Sequence, residues 1–108
     1  MSTFDDFREE VLGEVAGLAR EFLGGNVEEA RTVARAFVDQ SKAKLERWLR
    51  LLAAGDLTQD EFNDLVRSQK DLAQLHALAE VGIAAEKVEQ FRVKLTDVVI
   101  TKAIDVLL

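Results

Sequence analysis

The chain has 108 residues, enough for one domain with one core, and carries no Cys, no Pro, no Tyr and a single His. Absent Cys removes disulfides, thiolate metal sites and Cys nucleophiles, while a net charge of −6 argues against non-specific nucleic-acid binding, which needs a basic footprint. The acidic start MSTFDDFREE does not read as a signal peptide, and no run reaches the ~18–20 apolar residues of a membrane span, so the expected location is the cytoplasm.

The spacing predicts a first helix over 4–23. Ser2 or Thr3 can cap it, and Asp5, Asp6, Glu9 and Glu10 suit the positive end of its dipole. Phe4, Phe7, Val11, Val15, Leu18 and Phe22 recur every three or four residues as one stripe, and Gly24–Gly25 stops the helix. Gly13 and Gly17 fall on the opposite face. They mark either a tolerated weakness on a solvated surface or a place where a partner helix comes close.

A second helix is expected from a cap at Asn26, with Glu29 in the capping-box position, to Ala54. It would be roughly 42 Å long at the α-helical rise. Its stripe is Ala30, Val33, Ala34, Phe37, Val38, Ser41, Leu45, Trp48, Leu49 and Leu52, which makes Trp48 a core residue rather than a stacking platform. Residues 1–25 carry six acids and two bases, and residues 27–54 carry six bases and four acids, so weak attraction between these helices is expected.

The stretch GDLTQDEF, residues 55–62, resembles the second half of an EF-hand loop. With Gly55 in the sixth place, Glu61 falls twelfth, but the first, third and fifth places are then Arg50, Leu52 and Ala54, which offer calcium no anionic oxygen. Local capping accounts for every residue. Gly55 ends one helix, Thr58 caps the next with Glu61 reaching back, and Leu57 can staple to Phe62. The octet also resembles the G-x-[IL]-[ST]-x-x-E-F turn of the SHOCT family, small bacterial C-terminal modules. That likeness implies a short helical hairpin and brings no function with it.

A third helix is expected from Thr58 to Val81, with a stripe of Phe62, Leu65, Val66, Gln69, Leu72, Ala73 and His76. Gly82 should close it, with Ile83 against Leu78. A fourth covers 85–107 with the core stripe Val88, Phe91, Leu95, Val98, Val99, Ala103 and Val106. The β-branched run VVIT, 98–101, is its weakest part. Short turns between long helices give an all-α, antiparallel up-down four-helix bundle with a long central hairpin, as a single domain over 1–108.

No catalytic constellation stands out. His76 has Ala73 three residues before it, so the Glu-x-x-His of di-iron bundles is absent, and Gly24–Gly25 lacks the Lys and Ser/Thr of a phosphate loop. No metal or cofactor is expected. Two sets of residues remain. Pairing positions that sum to about 113 across a hairpin places Ser41, Gln69 and His76 in one buried polar layer. Such a layer sets register or anchors an apolar ligand. On a wheel of about 100° per residue, Val93, Ile100, Ile104 and Leu107 cluster opposite the fourth helix's core stripe. Two apolar faces need two covers, and the second is either the first helix or another copy of the chain. The expectation is therefore a non-enzymatic helical interaction or scaffold module that self-associates as a homodimer. The alternative is a carrier holding an apolar small molecule between its helices. Neither nucleic acid nor membrane is expected as a partner.

Overall fold

The computed structural model describes residues 3–69 and 73–108, with the backbone alone for Ala73 and Gln74. Ser2, Leu72 and the Ala73 side chain, all used in the sequence reading, lie outside what is described. Helices α1 (Thr3–Phe22), α2 (Val27–Gln40), α3 (Lys42–Ala53), α4 (Gln59–Arg67), α5 (Ala73–Glu80) and α6 (Ala85–Lys102) follow one another. A π-helical turn, Ala103–Leu107, completes the fold, and there is no strand among the described residues. The run 98–101 is helical, as expected.

Two of the four expected helices are segmented. The arm from Val27 to Ala53 changes at Ser41, whose N–H donates to Phe37 O at 3.0 Å and whose carbonyl accepts from Leu45 at 2.8 Å. The hydrogen-bond ladder carries through, so α2 and α3 remain one arm with a one-residue irregularity. In the next arm α4 ends at Arg67 and α5 begins at Ala73. Contacts follow the folding-back of these two arms: α3 meets α4 next to the corner, and α2 meets α5 further away. Helix α1 packs on α2, α6 and the π turn.

Two corners form as their local chemistry dictates. After α3, Asp56 N–H donates to Leu51 O at 2.9 Å and Gly55 N–H to Leu52 O at 3.2 Å, with Gly55 at φ 80. After α5, Ile83 N–H donates to Leu78 O at 3.3 Å and Gly82 N–H to Ala79 O at 3.1 Å, with Gly82 at φ 89. Both are Schellman closures. Thr58 then starts α4 with both halves of a capping box. The expected cap at Asn26 does not form. Its side chain makes no N-cap bond and instead donates from Nδ2 to Leu23 O at 2.7 Å, closing α1 rather than opening α2.

Phe7, Phe37, Phe62 and Phe91 bring one fully buried ring each from α1, α2, α4 and α6 into a single cluster. Burying each is worth roughly 1.5–3 kcal/mol. Trp48 is partly buried against the same cluster, consistent with the core role read for it, and Leu57 is partly buried there as well. Ion pairs join the arms in an order the charge count did not anticipate. The acids of α1 meet Lys102 of α6, at 3.1 Å for Glu10 and 3.9 Å for Glu14, while Arg8 of α1 meets Asp39 of α2 at 2.8 Å. Among the described residues no acid of α1 pairs with a base of α2 or α3; Lys42 of α3 instead lies over the Phe4 ring of α1 at 5.0 Å.

Candidate functional site

The buried polar layer is not assembled. Ser41 is buried at 5% exposure, and Gln69 is half-buried, with its Oε1 accepting from Lys44 Nζ at 3.2 Å. His76 is exposed. The register argument assumed an unbroken helix from 58 to 81. The break after Arg67 frees α5 to turn His76 outward. Besides Ser41, Thr96 is buried beside the core, at 2%, and its hydroxyl donates to Arg92 O at 2.8 Å. A Thr bonding back one turn inside a helix leaves no signal in apolar periodicity, so the sequence reading passed it by.

The second face expected on the fourth helix is divided among three environments. Val93 is open, at 43% exposure, and Ile100 belongs to the core, at 6%. Ile104 is half-buried and, with Ile100, borders a groove of about 450 Å³ shared with Gln59, Asn63 and Arg67 of α4. Leu107 points elsewhere, into a groove between α1, α3 and the π turn. The helical wheel fails here for two reasons. Ile100 is buried within the chain, beside the groove that α6 shares with α4, and so leaves the outward face. Beyond Lys102 the chain also closes i→i+5 bonds, seen as Leu108 N–H to Ala103 O at 3.2 Å, so each residue turns less than in an α-helix.

The α1–α3–π-turn groove encloses about 520 Å³. Its floor is Phe4, Leu49 and Leu107, with Leu108 exposed at its end, and its rim on α3 carries Lys42, Glu46 and Arg50. Lys42 Nζ stands 5.0 Å from the centre of the Phe4 ring, a cation–π contact.

A third feature is apolar and open. In α5, of sequence AQLHALAE, Leu78 is fully buried and Leu75 half-buried, while His76, Ala77 and Ala79 are exposed. The corner continues outward through Val81, 52% exposed, and through Ala84 and Ala85. Sequence periodicity overlooked it because His76 was placed on the core stripe.

Among the described residues no three His, Asp or Glu side chains converge to hold a metal ion, and no helix is long and apolar enough to cross a membrane. Comparison with protein-family models, with curated proteins and with solved structures finds no match to this chain.

Proposed function

We propose that the chain is a non-enzymatic helical interaction module that self-associates as a homodimer in the cytoplasm. Its four arms, α1, α2–α3, α4–α5 and α6 with the π turn, make an up-down bundle. The observation that supports this most is the open apolar corner at Gly82. A helix that is apolar on more than one side needs more than one cover, and α5 with its corner presents Ala77, Ala79, Val81, Ala84 and Ala85 to solvent. Residues 75–85 carry one charge, Glu80, on a protein of net charge −6. Two copies of an acidic chain repel, and they meet most cheaply where each has the least charge. A two-fold axis through this corner lets one patch cover itself.

The test is sedimentation of the wild type beside Val81→Asp and Ala77→Asp. Both residues are exposed, so helicity should be unchanged. The expected result is a dimer that becomes a folded monomer in both variants. A wild type that is monomeric at high concentration, or a dimer indifferent to both substitutions, overturns the proposal.

A further inference from the structure

We infer that the groove between α1, α3 and the π turn binds a single-chain amphiphile with an anionic head group. A volume of about 520 Å³ falls among small-molecule sites, which run roughly 300–1,000 Å³. The lining separates by chemistry. Phe4, Leu49, Leu107 and Leu108 give the groove its apolar lining for a hydrocarbon chain, with Phe4 and Leu49 buried beneath it and Leu108 exposed at its end. Lys42 and Arg50, eight residues apart on α3 and so about 12 Å, stand at its edge.

These two cations are not equivalent. Lys42 is engaged with the Phe4 ring. Arg50 is exposed and has no ion pair with a described residue. The same is true of Glu46, one turn before it. Arg50 therefore keeps its planar fork of donors available, and that fork matches a carboxylate in two parallel bonds. Among the described side chains that line the groove, Glu46 is the acidic one. Lys44 and Arg47, both exposed on the same helix, leave the α3 surface positive on a protein that is otherwise acidic. Anions are drawn to this helix, and the apolar side chains beside Arg50 favour those that carry a tail. The site is separate from the Gly82 corner and stands whether or not the chain self-associates.

The probe is decanoate below its micelle concentration, titrated by calorimetry and mapped by amide chemical shifts. Decanol serves as the uncharged control and acetate as the tailless one. The expected result is one decanoate per chain, with shifts at Leu49 and Leu107. Decanol should bind at least about tenfold more weakly, and acetate should not bind. Arg50→Glu should weaken decanoate at least about tenfold, Arg50→Lys less, and Ala53→Trp, at an exposed groove position, should block it. Equal affinity for decanoate and decanol, or indifference to Arg50→Glu, overturns the site. So does binding to anionic vesicles with none to monomeric decanoate. Self-association lost on Arg50→Glu and Ala53→Trp without decanoate binding would assign the groove to a second copy, and that result overturns it too.

Discussion

Thr58 and Glu61 satisfy each other at the start of α4. The Glu61 N–H donates to Thr58 Oγ1 at 3.1 Å, and the Thr58 N–H donates to Glu61 Oε1 at 2.9 Å. Thr58→Ala leaves the Glu61 amide without its partner and should cost about 1 kcal/mol in denaturant melts. An unchanged midpoint would mean that water serves the amide equally well.

The same pair predicts a pH dependence. The bond from the Thr58 backbone, and then the Thr58 side chain, holds the Glu61 carboxyl below its ordinary value. A depressed folded-state value contributes stability above the unfolded value of about 4.3, and that contribution is lost as pH falls through the folded one. Glu61→Gln should therefore be less stable than wild type near neutrality, and the gap should narrow in acid. A gap that stays constant down to strongly acidic pH would show that the charge contributes nothing.

Gly13 and Gly17 sit on the exposed face of α1, and a Cβ built on either meets nothing within 4 Å. No neighbour among the described residues requires them. Gly13→Ala and Gly17→Ala should each stabilise the fold by about 0.5–1 kcal/mol through helix propensity and a less free unfolded chain. Thermal melts of the single and double variants measure this directly. A loss of stability would point instead to a partner pressed against the glycines.

What could be read from the sequence was what neighbouring residues decide among themselves. The Gly55 and Gly82 closures and the Thr58 capping box depend on five or six consecutive residues, and all three formed. The core aromatics Phe7, Phe37, Phe62 and Phe91 were each placed by periodicity within a single helix. The errors came where one helix's geometry was extended too far. His76 was carried onto the core stripe across the break after Arg67, and Leu107 was carried onto a face of α6 across the change to π geometry. Asn26 failed differently, because a residue suited to opening one helix was equally able to close the one before it. The α1–α3–π-turn groove combines Phe4, Leu49 and Leu107 from three distant segments, and no local pattern brings those together.

Ile100 and Ile104 lie one turn apart on the same side of the molecule, and their different burial makes the last prediction. Ile100, 6% exposed, is part of the core on the side where α6 meets α4. Ile104 is half-buried at the edge of the α4–α6 groove, where Asp97 and Asp105 already place carboxylates and Arg67 pairs with Asp97 at 3.4 Å. An aspartate at position 100 would be an unpaired charge in an apolar core, and no ion is held there without a large penalty. Ile100→Asp should therefore unfold the chain, and the milder Ile100→Ala should cost about 2–5 kcal/mol through its cavity. At position 104 the carboxylate can turn to solvent. Ile104→Asp should remain folded, losing about 1–2 kcal/mol of apolar burial. Circular dichroism with urea titration of the three variants separates the outcomes. Equal tolerance at both positions would show that Ile100 is not buried within the chain, and would return that residue to an outward face free to meet another chain.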